Sequence, residues 1–148
     1  MRTFIYFTVS FFVLASVSCQ SSPDYVTVQE SKLDKYKIAS IKQLGHEILT
    51  AQKNNGYYSL TKKQATTQMI EGLNESVQKA SYKKIKSLFG DYEDLQFKSL
   101  LRGLSGEKYM IYRFKGNFKT DADIEVRMVF NEEEKLAGFF IKPWNESL

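Results

Sequence analysis

The residues best placed to do chemistry are Glu125, Arg127, Arg113 and Tyr109. They lie in two segments whose apolar residues recur with period two, so both segments read as strands. Residues two or four apart in a strand share a face. Arg113 therefore stands with Tyr109, and Arg127 with Glu125. If the strands are neighbours, the four form one polar patch. Lining a pocket, two guanidinium groups can hold an anionic ligand through paired hydrogen bonds. Facing solvent, the same residues only pair across the strands and contribute little. Tyr57, Tyr58, Tyr82 and Tyr92 carry the same two readings, as a pocket rim or as ordinary filling.

His46 is the one histidine. Its neighbour Glu47 leaves a helix about a quarter turn away, so the two do not face each other as base and orienting acid would. A zinc site needs three or four nitrogen or sulfur ligands, and the chain has one histidine and one cysteine. Glu132-Glu133-Glu134 lacks the spaced carboxylates and internal glycine of a calcium loop and reads as a solvated hairpin tip. The chain contains no Gly-x-Ser-x-Gly, phosphate loop, dinucleotide fingerprint or His-Glu-x-x-His. We nominate no catalytic residue, metal ligand or cofactor.

The elements that must position these residues are helices first, strands after. Ile38, Ile41, Leu44 or Gly45, and Ile48 recur at helical spacing within Glu30 to Lys53. Asn54-Asn55-Gly56 stops that helix, because Asn and Gly tolerate left-handed backbone. Thr61-Lys62-Lys63-Gln64 fits a capping box opening a second helix with Ala65, Met69 and Ile70. Asn74 or Ser76 caps a third, whose stripe is Val77, Ser81, Ile85 and Leu88 and whose end is Gly90. Four strands follow. Leu95, Phe97, Ser99 and Leu101 alternate in the first, Met110, Tyr112 and Phe114 in the second, and Ile124, Val126, Met128 and Phe130 in the third. The fourth, Leu136 to Trp144, is almost continuously apolar, as a strand covered on both faces would be. The only prolines are Pro23 and Pro143, so the sheet interior is free of breakers. This order gives an α+β fold with three N-terminal helices packed on a four-stranded antiparallel sheet. Met110, Ile124 and Phe140 are expected to cover the stripe of Ile41, Ile48 and Ile85, each contributing about 1.5–3 kcal/mol when fully buried.

Residues 1–18 read as an export signal: Arg2, a greasy run through Leu14, then small residues. The run is short for a membrane span, which needs about 20 apolar residues. Ser16-Val17-Ser18-Cys19 resembles a bacterial lipobox, where cleavage precedes a cysteine that receives a diacylglycerol. It departs from the usual pattern at Ser16, where leucine is commonest. Cys19 is the only cysteine, and lipidation would consume a thiol that has no disulfide partner. The alternative is cleavage near Ser18 or Ser21 to a free secreted protein. Residues 19–29 then form a tether and 30–148 the domain. The net charge of +4 loses only Arg2 with the signal. The lysines are spread along the chain, and Lys83-Lys84-Ile85-Lys86 reads as the solvated side of a helix, so no nucleic-acid partner is expected.

Two segments carry a family resemblance. One runs from Met69 to Leu88-Phe89-Gly90. The other is Ile124-Glu125-Val126-Arg127-Met128-Val129-Phe130, a polar turn, then Leu136-Ala137-Gly138-Phe139-Phe140-Ile141-Lys142-Pro143. Together they resemble an uncharacterised bacterial domain of the nuclear-transport-factor-2-like superfamily, over about Ala39 to Trp144. The resemblance implies a cone-shaped roll, with helices across a strongly curved sheet and a pocket between them. It brings no catalytic residues. The expected protein is an exported, lipid-anchored accessory domain of the bacterial envelope, periplasmic or surface-facing. Its expected partners are the membrane, through the anchor, and a small apolar or anionic ligand or an envelope protein. The alternatives are a proton-transfer enzyme of isomerase or dehydratase type, and a structural homodimer joined through the open sheet face.

Overall fold

A computed structural model describes residues 25–146; the signal segment 1–18, the lipidation candidate Cys19 and the first part of the tether lie outside the described residues. The chain forms β1 (Tyr25–Thr27), a 3-10 turn (Glu30–Lys32), α1 (Lys35–Lys53), α2 (Thr67–Gly72), α3 (Glu75–Phe89), β2 (Tyr92–Gly103), β3 (Met110–Phe118), β4 (Ile124–Phe130) and β5 (Leu136–Pro143). The fold is α+β. Its sheet is antiparallel throughout, with the strands in chain order.

The sheet has five strands rather than the expected four. The extra one, β1, arises inside the segment read as tether, where Tyr25, Val26 and Thr27 pair with Gly103, Arg102 and Leu101. Three residues are too few to show a period. Their β-branched and aromatic character is the only local signal.

Asp34 starts α1 by accepting the Tyr36 and Lys37 backbone N–H groups at 2.9 and 3.0 Å. Asn55, at φ 61°, follows its end as expected. Ile41, Gly45, Ile48 and Leu49 face the sheet. Gly45 permits the close approach, since a Cβ there would lie 2.9 Å from Met128 Sδ and 3.0 Å from Leu95 Cδ1.

The capping box forms only in part. Gln64 Oε1 accepts the Thr61 N–H, but Gln64 N–H bonds the Thr61 carbonyl and no helix begins there. Instead Ala65 makes a parallel bridge to Leu136, and Thr66 caps α2 by accepting from Met69 N. Asn74 caps α3 through Val77 N at 3.1 Å, and Gly90 ends it at φ 77°.

The core lies between the helices and one sheet face, around Ile48, Leu49, Leu95, Phe114, Ile124, Val126, Met128 and Leu136. Two bulges correct the expected faces. One, between Phe97 and Ser99 of β2, turns Leu100 rather than Leu101 into this core. The other, opposite Val129 and Phe130, inserts Ala137 into β5. Phe139 and Ile141 consequently reach the core, whereas Phe140 leaves it and is 53% exposed. A bulge adds one residue and so reverses the alternation beyond it.

Candidate functional site

Register builds the polar patch. Arg113 of β3 stands opposite Arg127 of β4, and Glu125 lies between Lys115 and Lys142. All belong to the sheet face turned away from the helices. Arg113 Nε and Arg127 Nε both donate to Glu125 Oε1 at 2.8 Å. Their Nη2 atoms reach Oε2 at 3.2 and 3.4 Å, and Lys142 Nζ stands 3.8 Å from the same oxygen. Glu125 is fully buried and Arg113 nearly so. Arg113 also donates to the Asn145 carbonyl at 2.6 Å and lies 4.4 Å over the Trp144 ring. Burial raises the Glu125 pKa, but the hydrogen bonds and charges of Arg113 and Arg127 outweigh it and hold the carboxyl below the ordinary range. One carboxylate thus meets three cations, leaving the group with surplus positive charge.

The structure therefore brings Glu125, Arg113 and Arg127 together. Tyr109 is apart, bonded to the Glu107 carboxylate in the exposed β2–β3 turn. Arg127 and Tyr109 line an open concavity of about 930 Å³, while Arg113 faces a separate hollow of about 470 Å³ beside Lys98, Lys115 and Trp144. The patch is neither wholly pocket wall nor solvated surface. Its centre is buried, and Arg127 is its link to the larger concavity.

That concavity wraps the edge strand β5, with every residue from Ala137 to Pro143 along it. On the helix side its wall is Ser81, Ile85, Leu88 and Phe89 of α3, facing Phe139 and Ile141. On the reverse side it is Tyr25, Ile111, Val129 and Phe140. The lining contains Lys84, Arg127 and Lys142 and no carboxylate. The expected stripe of α3 is displaced by this arrangement: Gln78 and Tyr82 are its buried residues, whereas Val77 and Leu88 are exposed. β5 differs likewise from expectation, since its apolar run lies at an open edge instead of between two covers.

The sequence reading missed Gln52 and Gln78. Gln78 Oε1 accepts from Tyr58 N at 2.9 Å and Gln52 Nε2 at 3.3 Å, and its Nε2 donates to the Tyr58 and Leu73 carbonyls at 2.9 and 2.6 Å. This buried amide ties the loop after α1 to α3 and sets Gln52 against the concavity. Two glutamines leave no motif; their only signal is polarity inside an otherwise apolar helical period.

His46 lies outside this site. Its Nδ1 is 2.9 Å from the hydroxyl of Tyr92, whose backbone N–H donates to the Tyr82 hydroxyl of α3. Burial, with Asp94 nearby, pushes the Tyr92 pKa upward. Among the described residues no group of three His, Cys, Asp or Glu side chains is placed to hold a metal ion, and no helix is long and apolar enough to cross a membrane. No protein-family model, curated protein or solved structure matches the chain.

Proposed function

We propose that this is an exported, lipid-anchored accessory domain of a bacterial cell envelope, non-catalytic, which binds an apolar partner bearing negative charge. In this reading Cys19 carries the lipid, and the domain is a cone-shaped roll of the nuclear-transport-factor-2-like kind. The observation that carries the binding role is the concavity along β5, apolar in lining, with Lys84, Arg127 and Lys142 at its walls and no acid among them. Apolar walls with a few charged groups are what orient an amphiphilic partner.

Two observations favour binding over proton transfer. A general acid or base works best with a pKa near the operating pH, and Glu125 is shifted the other way by its arginines. His46 is bonded to Tyr92 and lines none of the concavities described above.

The test of the site uses 8-anilinonaphthalene-1-sulfonate, an apolar anion, titrated into the purified domain. Saturable binding weakened by both Leu88→Ala and Lys84→Glu is expected. Absence of binding, or binding indifferent to both changes, rejects the site. Mass spectrometry of the mature N-terminus tests the anchor. A diacylglycerol on Cys19 is expected, and an unmodified terminus downstream of it rejects lipidation.

A further inference from the structure

We infer that the outer edge of β5 is a docking edge for an extended, acidic polypeptide segment of another protein, which joins the sheet as a sixth strand. This rests on the binding role proposed above and names its occupant.

The first argument is backbone. Among the described residues β5 pairs with β4 alone, on one side. On the other, the described contacts to its backbone stop at Leu136, whose N–H goes to the Gln64 carbonyl and whose carbonyl accepts from Thr66 N. In antiparallel pairing, successive residues aim their N–H and C=O groups alternately to either side. Trp144 N–H is donated inward to Asp123. Counting back, Lys142 and Phe140 face β4, and Ile141 and Phe139 face outward. Natural edges are usually blunted by charge, proline or brevity. Here Lys142 and Pro143 stand at the far end, and Ala137 to Ile141 contain neither charge nor proline.

The second argument is space. The concavity follows the whole of this edge and extends to both faces of the strand. A surface groove for a small molecule would need only one face. An added strand needs both, because its side chains alternate between them. On the helix side Ile85 and Leu88 would meet alternate residues. On the reverse side the exposed ring of Phe140 would meet the others.

The third argument is charge. Lys84, Arg127 and Lys142 border the edge; Arg127 and Lys142 share the single carboxylate of Glu125 with Arg113, so positive charge is in excess there. A second copy of β5 would bring the same cations to it, on a chain whose net charge is already +4. A strand carrying Glu or Asp beside β-branched residues is complementary, and main-chain bonding gives the affinity in this mode of recognition.

The experiment uses a synthetic ten-residue peptide of alternating valine and glutamate, its lysine counterpart, and the acidic peptide N-methylated at every residue, which removes the donors of both its edges. Binding is followed by fluorescence anisotropy, and β5 amides by hydrogen exchange. The acidic peptide is expected to bind, to slow exchange at Phe139 and Ile141, and to displace 8-anilinonaphthalene-1-sulfonate. N-methylation is expected to weaken it about ten-fold or more, since the peptide's main-chain N–H donors to β5 are lost. Lys84→Glu should weaken it several-fold, and the lysine peptide should not compete. Equal binding of the N-methylated peptide overturns the edge-strand inference, as does protection outside β5 alone. If the acidic peptide fails while the sulfonate probe still binds at Leu88, the partner is a small amphiphile and only this inference falls. If a concentration-dependent dimer protects the same amides without peptide, the occupant is a second copy, and the inference is again overturned.

Discussion

Arg113 and Arg127 stand directly opposite each other on β3 and β4, and each places its Nε 2.8 Å from the same oxygen of Glu125. Like charges facing each other across a ladder are destabilising. Their juxtaposition is tolerated because a buried carboxylate lies within reach of both. Removing that charge leaves two guanidinium groups, one of them buried, without a counterion. Breaking a buried pair on one side typically costs about 3–5 kcal/mol. Glu125→Gln is expected to destabilise the domain by roughly that amount, measured by urea unfolding. A cost of under about 1 kcal/mol, the size of a surface pair, would show that the cluster is held together by its surroundings instead.

The same cluster sets an acid dependence. The Glu125 pKa is lowered on folding from an ordinary value of 4.5. A depressed carboxylate contributes stability that is present above its unfolded pKa and lost as the pH falls through the folded one. The unfolding free energy should therefore be level in Glu125 through neutral pH and decline below about pH 4.5. Asp91 is lowered as well, chiefly by its hydrogen bond with Lys86, and Asp94, against the opposing effect of burial, by the Leu95 backbone N–H and Lys42. Glu125→Gln should flatten the decline without abolishing it. Titrating stability from pH 7 to pH 3 in both proteins checks this, and identical slopes would remove Glu125 as a contributor.

The order of elements was legible because each carries its own period and punctuation. Ile41, Gly45 and Ile48 mark one helical face, Asn74 and Gly90 bracket α3, and Ile124 to Phe130 alternates without interruption. The bulges were not legible. Each adds one residue where local sequence looks regular, and each reassigns the faces beyond it, which turned Leu101, still buried, to the reverse face beside Ile111 and left Phe140 exposed. The patch was readable as far as shared faces go. That Arg113 and Arg127 face each other depends on the β3–β4 register, and Tyr109 fell outside because it lies beyond the end of β3. The α3 stripe misled for a related reason. Gln78 and Tyr82 are buried because they bond loop and strand backbone, leaving Val77 and Leu88 to the surface.

Gln78 supplies the next prediction. Its amide occupies both donor and acceptor capacity in a fully buried position. Gln78→Leu keeps the volume approximately and removes every bond, stranding Tyr58 N–H, Tyr58 C=O and Leu73 C=O. An unsatisfied buried group costs about 1–3 kcal/mol, so a loss of at least 3 kcal/mol is expected. Hydrogen exchange should speed up first at Tyr58, before the strands are affected. Uniform loss of protection across the sheet would mean that the loop is not the site of the damage.

Leu88 and Ile48 separate binding from stability. Ile48 is fully buried in the core, whereas Leu88 is 58% exposed on the concavity wall. Truncating a buried isoleucine removes its transfer free energy and leaves a cavity, at a cost of about 2–5 kcal/mol. Truncating an exposed leucine changes stability by about 0.5 kcal/mol or less. Ile48→Ala should therefore lower the unfolding midpoint sharply. Leu88→Ala should leave it nearly unchanged while weakening the sulfonate probe several-fold, since the leucine is covered only when the concavity is filled. If Leu88→Ala instead costs stability on the scale of Ile48→Ala, this side chain belongs to the folded core. The wall of the concavity would then be a structural surface, and the binding role assigned to it would lose its footing.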